Sequence, residues 1–467
     1  MFRRSLWILA LLPGVAHANT PEDVFGASGR TIAMGGAGTA LPGDYSAAHY
    51  NPANLAYCAS DEMQLDVSYI SHHLSFTDEN TAADRPLVPK RTRNQTRVMV
   101  GNCIALPFDV SIGFMLGFGT PGAVSLDQQT ANQAPHYVMY GEANEQVAFA
   151  TGFGWRATPT LSVGAGFAAL IKTQLPLTAD FPILEPDPMD PSGYKPVGFQ
   201  LGVGMGAMLA PRVGVLWTPS SRFRIGAAYR GALYHDLDVD AKITAKLIIE
   251  IPVPVHVDSL GWFSPRQFSA GASGEPIPNL TLTADVTYYR WGELAAKGSS
   301  YPFLNMYSLD PQGPSGALVF PRPIHSGWKN NFAFRTGGEL RVSDSKLAIR
   351  GGLGYRTRAV DNPDDSNVNL LDSSVVTVST GVAWFAGARA AAPAAPRPAK
   401  PTAPRHHWWR YELPHVSFRA DAFLRVDHLL EQQVDHTAAS LTDAIPEKHF
   451  KFGGDVLQVG ATATLGW

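Results

Sequence analysis

Residues 280–289, LTLTADVTYY, place Leu280, Leu282, Ala284, Val286 and Tyr288 at alternate positions, with Thr281, Thr283, Asp285 and Thr287 between them. Successive side chains of a strand point to opposite faces, so this stretch reads as a strand with one apolar and one polar face. The same period of two recurs at Leu161, Val163, Ala165, Phe167, Ala169 and Ile171, opposed to Ser162, Gly164, Gly166 and Lys172. It returns at Leu347, Ile349, Gly351, Leu353 and Tyr355, opposed to Arg350. A β-sandwich core also alternates, so the rhythm of the connections decides between the two. Brief turns such as Thr218 to Ser221 (TPSS) and Val342 to Ser345 (VSDS) alternate with long excursions such as Gly292 to Asn330. Short turns on one rim and long loops on the other characterise an outer-membrane barrel, and the segments from Met63 to Trp467 number about fourteen, an even count.

The two ends of the chain agree with this reading. MFRRSLWILALLPGVAHA carries Arg3 and Arg4, an apolar run from Leu6 to Leu12 and a small-x-small site at Ala16, His17 and Ala18. That is the layout of a secretory signal peptide, and its apolar run is far short of the ~20 residues of a spanning helix. Without its two arginines the balance is 35 basic (37 less 2) against 40 acidic residues, a formal charge of -5, which gives no ground for a nucleic-acid partner. No later stretch approaches ~18 uninterrupted apolar residues, so a helical membrane protein is excluded. At the other end Leu457, Val459, Ala461, Ala463 and Leu465 form an outward stripe closed by Trp467. This resembles the assembly signal of outer-membrane proteins, in which Phe is the more usual last residue. Trp217 and Trp384 fall at strand ends, where an aromatic girdle lies. The one low-complexity run, Gly387 to Arg405, is rich in Ala and Pro and reads as an extended linker, an enlarged periplasmic turn before the strand of Val416, Phe418, Ala420, Ala422 and Leu424. The expected organisation is a signal peptide at 1–18, a luminal plug at 19–60 and an all-β transmembrane antiparallel barrel at 61–467, with the Ala/Pro-rich turn at 386–413.

Between the signal peptide and the first strand lies FGASGRTIAMGGAGTALPGDYSAAHYNPANLAY, Phe25 to Tyr57, dense in small residues and without strand alternation. Gly and Ala let backbone approach backbone, which suits a segment packed inside a barrel. AMGGAGTAL followed by Asn51-Pro52-Ala53-Asn54-Leu55 resembles the N-terminal hatch of the FadL/TodX family, outer-membrane transporters of long-chain fatty acids and aromatic hydrocarbons. Asn51, Pro52 and Ala53 take the family's Asn-Pro-Ala positions, and Asn54 stands where Gly is usual. Tyr229-Arg230-Gly231 is similar to its Tyr-Arg-Ser motif, with Gly231 in place of Ser. The runs Ser264 to Trp291 and Trp328 to Val360 look like its later hairpins, so the resemblance covers most of the chain.

The resemblance implies passive uptake of hydrophobic small molecules, gated by a plug around Gly35, Gly36, Asn51, Pro52 and Ala53, with no enzymatic activity and no cofactor. A structural or secretion-associated barrel of the same fold without transport is the alternative. The expected surroundings are outer-membrane lipid and lipopolysaccharide, with the barrel-assembly machinery as partner and a monomeric state. Strand parity places Arg230, Asp285, Glu339 and Arg350 on luminal faces, the last three near periplasmic ends, with Arg350 expected to pair with Asp285 or Glu339. These charges either pair with one another and with the plug, or offer an arginine to a carboxylate head group in transit. Two outer loops are unusually apolar, with Leu177, Phe181, Ile183 and Leu184 in one and Ile248, Ile249 and Ile251 in the other. They either capture ligand or pack on each other. Cys58 and Cys103 fall at neighbouring ends of an antiparallel hairpin, close enough for a disulfide in the periplasm, the alternative being two buried thiols that never meet.

Other chemistry finds little support. The glycines of Ala33 to Gly38 do not join a strand to a helix as a dinucleotide loop requires, and no G-x-S-x-G occurs. The pairs His72 and His73, and His406 and His407, lack metal-site spacing and read as solvated or interfacial, so no metal is expected.

Overall fold

A computed structural model describes residues 17–18, 20–58, 61–78, 94–119, 136–140, 147–171, 176–187, 190–202, 207–246, 250–294, 308–309, 318–319, 327–342, 346–361, 370–386, 416–435 and 449–467. Most of the signal-peptide stretch and the Ala/Pro-rich turn lie outside the described residues, as do His406, His407, Ile248 and Ile249.

Fourteen antiparallel strands close into a barrel. They are β1 (Glu62–Asp78), β2 (Gln95–Ala105), β3 (Val110–Gly119), β4 (Val147–Arg156), β5 (Leu161–Ile171), β6 (Ala207–Ser220) and β7 (Phe223–Arg230), followed by β8 (Gln267–Ile277), β9 (Leu280–Tyr289), β10 (Asn331–Arg341), β11 (Leu347–Arg356), β12 (Val375–Ala386), β13 (Ser417–Asp435) and β14 (His449–Gly466). Closure comes from β14 pairing with β1, Glu62 opposite Gly466, which leaves no unpaired strand edge in the bilayer. The decisive stretch is β9: Leu282 and Ala284 face outward while Thr283, Asp285, Thr287 and Tyr289 are buried. Trp155, Trp217, Trp384 and Trp467 stand half-exposed on the outer surface near the short-turn rim, as an interfacial girdle requires.

Most strands span 8 to 12 residues, but β1, β13 and β14 have 17, 19 and 18 and project beyond the rim of the long loops. Their inward faces change character along their length. Near the short-turn end they present Gln64, Asp66 and Ser68, then Asp421 and Asp427, then Gln458, Thr462 and Thr464. Towards the outer end the same faces present Ile70, Leu74 and Phe76, then Leu429 and, past a bulge that shifts the register, Val434, then Val456, Phe452 and Phe450. Outward positions there become polar, with His73, His428 and Asp455 exposed. Inside and outside thus exchange polarity where the sheet leaves the bilayer.

Residues 20–58 pack among the inward side chains. Helix α1 (Pro21–Phe25) is capped by Thr20, whose hydroxyl accepts from Asp23 N at 3.3 Å. Helices α2 (Gly29–Ala33) and α3 (Ala47–Tyr50) follow, and a 3-10 turn spans Pro52–Tyr57. Above the outer rim two hairpins are described by backbone alone over most of their length: Pro176–Asp187 with Asp190–Gly202, and Leu233–Lys246 with Glu250–Ser264. Leu177, Phe181, Ile183, Leu184 and Ile251 lie on these strands, with their side chains outside the described set.

Candidate functional site

The wall opposite Pro52–Tyr57 is built of small residues. A Cβ on Gly154 or Gly164 would overlap the backbone of Pro52 to Ala56, and one on Gly214 would overlap the Asn51 side chain. Glycine at these strand positions therefore lets main chain rest on main chain. Asn51 fastens the contact: its Nδ2 donates to Thr39 O at 2.8 Å and to Val215 O of β6 at 3.0 Å, and its Oδ1 accepts from Ala53 N at 3.0 Å. The side chain thus joins two parts of the N-terminal segment to the wall. Asn54, at the position where the family usually has Gly, donates to Gly38 O at 3.0 Å and closes the loop over the motif. Gly35 and Gly36 hold φ of 72° and 82°, and Gly35 N donates to Ser379 Oγ at 3.0 Å. Cys58 and Cys103 are joined by a disulfide with Cα atoms 6.1 Å apart, so the segment is covalently held where it meets β2.

The charges divide into two clusters instead of one layer. Near the short-turn rim Glu339 accepts from Arg30 at 2.9 and 3.2 Å and from Arg350 Nε at 2.7 Å. Arg350 also pairs with Asp421, which takes Arg419 Nε at 2.9 Å. Asp285 is not a partner of Arg350; it sits mid-strand opposite Arg335 and accepts from Thr39 N at 2.7 Å. Of the two partners expected for Arg350, Glu339 is met on the neighbouring strand and Asp285 is not: Asp285 lies further along the lumen, opposite Arg335, and the second carboxylate is Asp421, reached across β12. Asp66 is a third anchor, accepting from Gly29 N at 2.9 Å and from the hydroxyls of Tyr45 and Thr462.

At the outer end of β7 Arg230 Nη1 lies 2.5 Å from Asp23, which also accepts from Gln267 at 2.8 Å. The His49 ring sits between Arg230 at 2.9 Å and Arg212 at 3.1 Å, with Asp23 at 3.5 Å. Burial and the Arg230 guanidinium push His49 down to about 3, against the pull of Asp23. The unfolded chain binds this proton near pH 6.5 and the folded chain only near 3, so acid favours release. Stability from neutral His49 is complete above about 6.5 and declines as pH falls, by roughly 2 kcal/mol at pH 5. The protection factor of the Ala47 to Tyr50 amides, exchange taken relative to the intrinsic rate at each pH, is therefore expected to fall between pH 7.5 and 5 in the parent and to stay level in His49→Gln.

Arg335 lines two adjoining cavities. One, of about 40 Å³, is bounded by Asp23, Met139, Tyr140, Arg335, Arg356 and Arg425. The other, of about 20 Å³, lies beside His49, Arg230 and Asp285. Arg356 is neutralised by Asp372 at 2.8 Å and Arg425 by Asp427 at 3.0 Å, but Arg335 donates to the hydroxyls of Thr287 at 3.0 Å and Tyr289 at 2.7 Å. Among the described residues Arg335 has no ion pair. An apolar lining lies higher, where Phe450, Phe452, Leu429, Trp291 and Trp328 cluster with Tyr137 to Tyr140. Tyr137 is held there by its hydroxyl, 2.6 Å from Ser75 O. His72 is half-buried and faces this cluster edge-on to Phe25 at 6.1 Å, whereas His73 is exposed. Arg30, His49, Asp66, Arg335 and Asp421 went unnoticed in the sequence; strand parity marks Asp66, Arg335 and Asp421 as luminal, whereas nothing local marks Arg30 or His49.

Comparison with known proteins follows the same lines. A Pseudomonas aeruginosa FadL homologue superposes with a TM-score of 0.52 at 15% identity, covering 98% of each chain. The Pseudomonas putida toluene transporter TodX gives 0.51 at 12% identity, covering 95% of this chain and 99% of the other. At such identities these likenesses establish the fold. No curated protein sequence matches the chain. The family model of outer membrane protein transport proteins (OMPP1/FadL/TodX) matches residues 22–391, from α1 into the stretch after β12. With most of its length matched and a closed barrel around an N-terminal segment, the chain belongs to this family of outer-membrane transport channels and is not an enzyme.

Proposed function

We propose that the protein is a channel for passive uptake of hydrophobic compounds across the outer membrane, with residues 20–58 as its plug. The exchange of polarity along β1, β13 and β14 carries this reading. An apolar inner face that rises above the bilayer, screened from water by a polar outer face, offers a greasy molecule a place to partition before it meets the lipopolysaccharide layer. Below that mouth the lining turns to arginine, and Arg335 is placed to meet the carboxylate of an amphipathic acid such as a long-chain fatty acid. Uptake of a labelled fatty acid and of an alkylbenzene by cells with and without the protein tests the reading. Rates indifferent to its deletion favour the barrel without transport.

Asn51→Ala is expected to change uptake while heat-modifiable migration of the barrel is retained. The substitution strips a donor from the buried Thr39 O and another from the half-buried Val215 O, at a cost of about 1–3 kcal/mol to the seating of the plug. Unchanged uptake of both ligands would reduce the motif to a folding element.

A further inference from the structure

Arg266 and Arg290 stand side by side on the outer rim, where Arg290 N donates to Arg266 O at 3.0 Å. Both keep the outward parity of their strands: Arg266 is two residues beyond Phe268, and Arg290 two beyond Tyr288. Phe268 and Tyr288 are directly opposed across β8 and β9, and Tyr288 packs on Phe332 at 4.8 Å and Phe268 on Tyr229 at 5.2 Å, an aromatic row on the outside of the barrel. Such a row marks the upper limit of the hydrocarbon. Two residues further is ~7 Å along a strand, or ~5 Å along the bilayer normal at a tilt of ~40°. The polar layer of a leaflet is on the order of 5–7 Å deep. The two guanidiniums therefore lie at the depth of lipid phosphates.

Among the described residues their charge is incompletely matched. Like charges opposed across a strand pair repel, and the one carboxylate paired with them there is that of Glu293. One of its oxygens serves both, at 3.3 Å from Arg266 and 3.1 Å from Arg290. Two cations share one anion, and both side chains are about half exposed, at 50% and 43%. We propose that this arginine pair is a docking site for a phosphate of the outer-leaflet glycolipid, lipid A, whose oxygens accept from both guanidiniums and whose acyl chains lie on the aromatic row below. Planar guanidiniums present paired N–H donors that suit phosphate, and an anion between them removes the repulsion.

The test uses the full-length barrel, purified in detergent free of lipopolysaccharide, with native mass spectrometry as readout. The probes are bisphosphorylated lipid A, fully dephosphorylated lipid A and inorganic phosphate. The parent is expected to retain the bisphosphorylated form about tenfold better than the dephosphorylated one, and Arg266→Gln/Arg290→Gln to erase the difference. Arg222→Gln, on a short periplasmic turn, should behave as the parent. If the double variant loses heat-modifiable migration, Arg290→Gln alone replaces it, with a smaller loss expected. Equal retention of the two lipids by the parent, or retention unchanged in a folded variant, overturns the proposal. So does binding of inorganic phosphate without binding of lipid A.

Discussion

Glu339→Met is expected to lower the free energy of unfolding by about 3–5 kcal/mol, more than any other single change in the lumen. Glu339 is the one carboxylate shared by Arg30 and Arg350, and Arg341 lies 3.6 Å away. Without it, buried guanidiniums face one another with no anion between them, and Arg30 loses its bidentate hold on the wall. Arg350→Met is a different case. Glu339 keeps Arg30 and Asp421 keeps Arg419, so each carboxylate retains a partner and the cluster moves nearer to neutrality. Its cost should be less than half that of Glu339→Met. Urea unfolding in lipid vesicles measures both, and exchange of Gly29 to Ala33 amides should speed up in Glu339→Met alone. Equal effects of the two substitutions would show that the carboxylate is not the hub of the cluster.

The barrel was legible because period-two patterning is local: the outward face of β9 or β11 can be read from ten residues without knowing the neighbours. The reach of Arg350 was not, because its second partner is two strands away, across β12. Arg30 and His49 were hidden for another reason. The segment that carries them has no repeating pattern, and its side chains find partners in the wall instead of in one another. Asn51 was conspicuous through its motif, while its partner Val215 O is a backbone group that any residue supplies. The change of lining from Asp66 to Phe76 is written in β1 itself. It becomes visible only once inward and outward parity are fixed by closure.

Gly164→Val is expected to open the lumen without unfolding the barrel. Gly164 lies in β5 between Gly154 of β4 and Gly214 of β6, and its backbone has no positive φ, so a β-branched residue suits the strand itself. The obstacle is the N-terminal segment: a Cβ there would overlap Ala53 N and the Pro52 carbonyl group, both main chain and unable to turn aside. The seating therefore bears the overpacking, about 1–3 kcal/mol, which corresponds to roughly a 5- to 150-fold rise in the displaced population. Five residues on, the disulfide at Cys58 keeps the end of the segment tethered, so displacement is local and the chain does not leave the lumen. Entry of a small hydrophilic reporter, such as a chromogenic cephalosporin, should quicken in cells carrying Gly164→Val, and exchange of the Ala53 amide should quicken with it. Ala165→Val, whose side chain points to lipid, should leave both at the parent level. Faster exchange at Ala53 with no change in reporter entry would mean that residues 51–55 do not close the channel, and the gate would have to be sought higher, among Tyr137 to Tyr140 in the apolar mouth.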